Sequence, residues 1–212
     1  LAYSNNPYWS RYMNYQNDTR DRLYGNVGLK AFISSKITAQ YKTSLDFFSY
    51  KQYERNAVYS QEQSYYGETQ RQQYELNHEF LATYNDKFDD FSVTVNAGAN
   101  SMYRNYQRLS AYSVSGLVLP EFYNLSNSKS PAKGENLMNE KAIYSILGSV
   151  NLGYQSLAFI DGTVRTDISS TLPKGNNIYT YWSATGSLVF SELIKQDWLT
   201  FGKVRLGYAK VG

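Results

Sequence analysis

TYWSATGSLVF, residues 180–190, decides how this chain folds. One set of alternate positions reads Trp182, Ala184, Gly186, Leu188, Phe190 and the other Tyr181, Ser183, Thr185, Ser187, Val189. Residues 157–167 repeat the pattern, with Ala158, Ile160, Gly162 and Val164 against Asp161, Thr163, Arg165 and Asp167. Successive side chains of a strand point to opposite faces, so each stretch is a ribbon with one apolar and one polar side. Two environments produce that contrast. One is a soluble antiparallel sandwich, and the other a membrane barrel with lipid outside and a wet lumen inside.

Length favours the barrel. Strands of soluble sheets run about 5–6 residues, whereas a tilted strand crossing a bilayer needs about 9–11. Working outward from residues 180–190, the alternation predicts about eight strands: 20–32, 37–50, 71–84, 91–106, 142–154, 157–167, 178–190 and 201–211. Their connections alternate between tight turns and long polar segments, the longest being 51–69 and 107–140. That asymmetry is the habit of outer-membrane barrels. Aromatics gather at the short turns (Phe88 and Phe91, Tyr154 and Phe159, Phe190 and Trp198), as an interfacial girdle requires. The predicted class is all-β: a transmembrane antiparallel β-barrel of up-and-down hairpins.

Composition agrees and removes other classes. Among 212 residues there are 22 Tyr against 10 Phe and 3 Trp. Tyr suits sites where one end of the ring is dry and the other wet. Mean hydropathy is negative, which fits a barrel whose loops and inner face are polar. No run approaches the roughly 18 consecutive apolar residues of a membrane helix. A net charge of +3, from 21 basic and 18 acidic residues without basic blocks, gives no reason to expect nucleic acid. With no Cys there are no disulfides and no thiolate metal sites. The chain lacks an initiating Met and a signal peptide and ends within a strand-like stretch, so it reads as an internal piece of a longer polypeptide.

Chemistry-bearing patterns are sparse. His78 is the only histidine, on the Tyr74, Leu76, Phe80 side of its strand, where only a bulge or one-residue slip would turn it from lipid. Gly-x-Ser-x-Gly, His-Glu-x-x-His and phosphate-loop patterns are absent, so no catalytic, cofactor or metal residues are assigned. Asp86, Asp89 and Asp90 miss the calcium-loop spacing and read as turn residues. On the wet face Asp161, Arg165, Asp167, Lys203 and Arg205 are lumen candidates, either as a charged wall or as mutually satisfied cross-strand ion pairs. In the long connections Tyr65, Tyr66, Tyr103, Tyr106, Tyr112 and Tyr123 are candidates for stacking on cargo or contacting a partner.

Several segments resemble the SusC/RagA family of TonB-dependent outer-membrane transporters. These are Asn6-Pro7-Tyr8-Trp9, the stretch GLVLPEFYNLSNSK at 116–129, and above all residues 149–212. There the Arg-x-Asp-x-Ser-Ser-x-Leu-Pro run falls on Arg165, Asp167, Ser169, Ser170, Leu172 and Pro173. Ser191-Glu192 and the Gly-Lys-x-Arg strand at Gly202, Lys203 and Arg205, ending Val211-Gly212, follow. Trp182-Ser183 departs from a Tyr-Pro-Ser run in the family.

The resemblance implies that residues 1–212 form part of one barrel of about 22 strands with a plugged lumen, the plug lying outside this chain. It further implies import of a glycan or peptide across the outer membrane. The implied partners are a SusD-like surface lipoprotein, outer-membrane lipid, and TonB acting through parts absent here. The alternative is a small barrel closing on its own eight strands, with a structural or adhesive role. An envelope hydrolase centred on His78 is the remaining possibility, and the chain is not expected to be an enzyme.

Overall fold

The computed structural model describes residues 4–194 and 198–211. Gly212 of the family-like ending, residues 195–197 of the last turn and the first three residues of the opening loop lie outside the described residues. A short helix α1 (Pro7–Tyr12) precedes eight strands: β1 (Tyr15–Phe32), β2 (Ile37–Asn56), β3 (Tyr65–Phe88), β4 (Phe91–Leu117), β5 (Ser128–Tyr154), β6 (Ala158–Ser169), β7 (Ile178–Leu188) and β8 (Val204–Lys210). Asn6 starts the helix by accepting the Tyr8 N–H, and Pro7 occupies a first-turn position where a missing N–H costs nothing. No helix among the described residues is long and apolar enough to cross a membrane.

The strands form one antiparallel sheet in the order β1-β2-β3-β4-β5-β6-β7-β8. β1 and β8 are its edges, so the described residues do not close into a small barrel of their own. Every residue of both edge strands is exposed.

Two boundary expectations are corrected. The segments 51–69 and 107–140 are not mainly loops: β2 runs on to Asn56, β3 begins at Tyr65, β4 reaches Leu117 and β5 starts at Ser128. The connections shrink to 57–64 and 118–127. These added lengths carry no sustained apolar alternation to read: Leu109, Val114, Leu117, Leu137 and Met138 are scattered among polar residues. Backbone pairing continues because its hydrogen bonds do not depend on side-chain polarity.

By its contacts the chain forms two compact units. The first holds the chain up to Tyr24, Leu45–Glu75 and Arg104–Glu140; the second holds Gly25–Ser44, Leu76–Tyr103 and the chain from Lys141 onward. In the second unit the registers Val150↔Gly162, Val164↔Trp182 and Gly186↔Leu206 merge the apolar sides of β5–β8 into one surface. Ile146, Ile160, Val164, Ile178, Leu188 and Leu206 stand exposed on it. β7, with eleven residues, is about 36 Å long at about 3.3 Å per residue. Tilted about 45°, it covers about 25 Å of height, the apolar band of a membrane barrel. At the short turns the Phe91 and Tyr154 rings pack at a tilt, with centroids 4.9 Å apart. Gly202 lies directly under the Phe190 ring, where any side chain would collide with it.

The turn between β1 and β2 is tied to β3 beyond that band. Lys36 Nζ donates to Asp86 Oδ2 at 2.7 Å, and Tyr84 Oη donates to the same oxygen at 2.7 Å. Both bonds, Lys36 first, hold the Asp86 carboxyl below its ordinary value. Its contribution to stability is therefore present above about pH 4 and is lost as pH falls through the lower folded value. Thermal unfolding of the full-length protein should show this acid loss, and Asp86→Asn should lack that part of it. An identical acid limb in the variant would remove the tie from the account.

Candidate functional site

The polar side of the second unit is the candidate surface. Ser145, Asn151, Asp161, Thr163, Arg165 and Asp167 share it, because β5 and β6 pair at Ser145↔Asp167, Leu147↔Arg165 and Asn151↔Asp161. Asn151 Nδ2 donates to Asp161 Oδ1 across the strands. Thr163 and Ser183 hydroxyls are 2.6 Å apart across β6 and β7.

Arg165 pairs along its own strand: Nε donates to Asp167 Oδ1 at 2.7 Å and Nη2 donates to Ser145 Oγ at 3.0 Å. The expected cross-strand ion pairs therefore take a different form. Asp161 is satisfied by an amide, and the charge pair runs two residues along β6. Lys203 lies 5.0 Å from the Phe159 ring centroid, a cation–π contact. Arg205 sits opposite Ser187, and no ion pair to either carboxylate brings it into the Arg165 cluster among the described residues.

Beside Arg165 the same side is hollowed into a groove of about 540 Å³ lined by Asn77, Glu79, Asn100, Met102 and Leu147. Asn100 donates to Asn77 at 2.8 Å, and Lys42 lies 3.8 Å from Glu79. Mixed amide, carboxylate, guanidinium and aliphatic lining can hold a polar chain by hydrogen bonds while excluding water along its hydrocarbon portions. The sequence reading did not name these β2–β4 residues. Their signal was the polar parity of Asn77, Glu79, Asn96 and Asn100, equivalent to that of Asp161 and Arg165.

His78 needs no slip. It stays on the apolar side, where Tyr41 Oη lies 2.6 Å from its Nδ1 and the two rings stack at 6.1 Å. The pair borders a groove of about 360 Å³ with Phe80, Ile146 and Ile168. A phenol in place of a bulge satisfies the ring. Among the described residues no group of three or more His, Asp or Glu is placed to hold a metal ion.

Five of the six candidate tyrosines are strand residues, not loop residues. Tyr65 and Tyr66 open β3, Tyr103, Tyr106 and Tyr112 lie in β4, and only Tyr123 is in a connection. Alternation divides them. Tyr65 stacks on Tyr112 with centroids 6.4 Å apart, on the side where Thr69 meets Ser110. Tyr66 is on the opposite side, with Tyr15, Tyr53, Arg55 and Tyr123 around a cavity of about 240 Å³.

Arg55 holds that cavity together. Its guanidinium carbon is 3.9 Å from the Tyr15 ring centroid and 4.2 Å from that of Tyr123, and its Nε donates to the Met13 carbonyl at 3.1 Å. Tyr66 Oη donates to Glu68 Oε1 at 2.8 Å. Burial first, and then that carboxylate, push the Tyr66 phenol well above its ordinary value. Burial raises Tyr65 and Tyr123 as well. These phenols are hydrogen donors at every physiological pH.

No protein-family model matches the chain, and no curated protein matches it in sequence. Solved structures match it in fold. The structure of the RagAB peptide transporter superposes with a TM-score of 0.87 at 17% identity, over 96% of this chain and 24% of that one. The chain shares its fold with a stretch of that protein. The RagAB peptide importer in its closed-closed state gives 0.84 at 18% identity, over 96% and 23%. Its open-open state gives 0.82 at 19%, over 96% and 23%. The chain thus spans about a quarter of the length of the chains it matches.

Proposed function

We propose that this chain is part of the barrel wall of a SusC/RagA-type, TonB-dependent importer in a bacterial outer membrane, carrying peptide cargo in partnership with a SusD-like surface lipoprotein. The observation that carries the reading is the sidedness of β5–β8. An apolar surface tall enough for a bilayer core backs directly onto a polar side bearing Arg165, Asp167 and Asp161. The fold likeness to a peptide transporter supports it and favours peptide over glycan.

In this reading the wall works without covalent chemistry and is not an enzyme. Its outer surface is held in lipid by burial of apolar side chains. Its inner surface supplies amides, charged groups and tyrosines to which a peptide backbone can bond in passing. Energy coupling belongs to other parts of such a transporter.

The experiment is uptake by the source cell. Deleting the gene for the full-length protein should abolish accumulation of a fluorescent oligopeptide, and plasmid-borne protein should restore it. Loss of TonB should give the same defect. Uptake that survives both deletions, or recovery of the protein in the soluble fraction, would sink the proposal.

A further inference from the structure

Two arginines of the first unit face one another across β3 and β4. Thr69 Oγ1 lies 3.1 Å from Ser110 Oγ and the Tyr66 N–H donates to Ser113 Oγ at 2.9 Å, which sets the antiparallel register of the two strands. Two residues further along each strand, on the side of Thr69 and Ser110, come Arg71 and Arg108. Like charges directly opposite are destabilising, so the arrangement calls for a compensating anion.

What surrounds the pair does not supply one in full. Arg71 stacks over Tyr50, 5.2 Å from its centroid. Arg108 has one carboxylate nearby, Glu135 at 3.7 Å, beyond hydrogen-bond distance. The Nε atoms of both arginines are buried and have no hydrogen-bond partner among the described residues. A buried donor left unpaired is costly, and here two such donors occupy facing positions. Elsewhere on the same side of the unit arginines are placed differently: Arg22 forms a fork with Asp46 at 2.9 and 2.7 Å, and Arg20 stacks on Phe48 at 4.7 Å.

We propose that Arg71 and Arg108 together form a carboxylate-binding site for peptide cargo, taking a C-terminal or acidic side-chain carboxylate between their two forks. This rests on the transporter reading, in which the side shared by Arg71, Gln73 and Glu75 faces the channel contents. Guanidinium geometry matches a carboxylate with paired, charge-assisted hydrogen bonds, which Lys cannot reproduce. The stacked Tyr65–Tyr112 pair, on the same side a few residues away, offers an aromatic surface for the neighbouring cargo residue.

The test uses purified full-length protein and two labelled oligopeptides of one sequence. One has a free C-terminus and a Glu, the other a C-terminal amide and Gln in place of Glu. Wild type should bind the first at least about tenfold more tightly, and R71Q/R108Q should bind both as wild type binds the amidated one. R71K/R108K should keep only a small part of the preference. Heat stability of the unliganded double Gln variant should be unchanged or higher, because the repulsion is gone, whereas a purely structural role would lower it. Should the double variant fail to fold, R108Q alone must still lose most of the discrimination. Equal binding of both peptides by wild type overturns the carboxylate site and leaves the transporter reading standing. Binding of neither overturns both.

Discussion

Val164→Arg should prevent stable insertion of the full-length barrel, or cost about 2–4 kcal/mol where it inserts, while Thr163→Arg one residue earlier should be tolerated. Val164 lies near the middle of β6 on the apolar surface, opposite Trp182 on β7 and Gly148 on β5, and is 49% exposed in the isolated sheet. In a membrane that exposure is contact with hydrocarbon, where a guanidinium loses its hydration and gains no partner. Thr163 is on the polar side, and its replacement removes one hydroxyl contact to Ser183, worth about 1 kcal/mol. Denaturant unfolding of both variants in phospholipid vesicles measures the difference. Equal costs for the two positions would mean that the apolar surface does not meet lipid.

Asn127→Ala should release the 118–127 connection without unfolding the strands beside it. Asn127 is 4% exposed. Its side chain accepts the Leu119 N–H at 2.9 Å and donates to the carbonyls of Leu119 and Phe122. Ala leaves those groups without their partner, a local cost of about 2–4 kcal/mol. Amide exchange in the connection should then quicken on the order of 100-fold. Tyr123 sits in that connection, so its stacking on Arg55 should loosen too, with Tyr15 and the Met13 carbonyl keeping Arg55 in place. Unchanged exchange from Val118 to Asn127 would show that something other than Asn127 holds the segment.

The eight strands, their order and the sidedness of β5–β8 were legible in the amino-acid sequence. Where one side of a strand is apolar and the other polar, the contrast writes a two-residue period into the chain, and Ile160 against Asp161 or Trp182 against Ser183 displays it. The wet side of Asp161, Arg165 and Asp167 followed from that period alone.

Other features had no such imprint. The outer lengths of β2–β5 carry no sustained apolar alternation, so nothing periodic distinguishes Lys51–Asn56 or Ser128–Lys141 from loop; only sheet pairing makes them strand. That extension moved Tyr65, Tyr66 and Tyr112 out of loops, and alternation places Tyr65 and Tyr66 on opposite sides.

Pairing partners were the other hidden quantity. Arg165 with Asp167 and Ser145, His78 with Tyr41, and Arg71 opposite Arg108 each depend on register or rotamer. Alternation fixes which side a residue takes and leaves open which neighbour it meets. The sequence by itself therefore determined the side of each apolar-band residue, because solvent contrast acts residue by residue. Tertiary structure alone decided strand length and side-chain company, because backbone hydrogen bonds are indifferent to side-chain identity and cross-strand neighbours lie well apart in the chain, 10 residues for Asn151 and Asp161 and 37 for Tyr41 and His78.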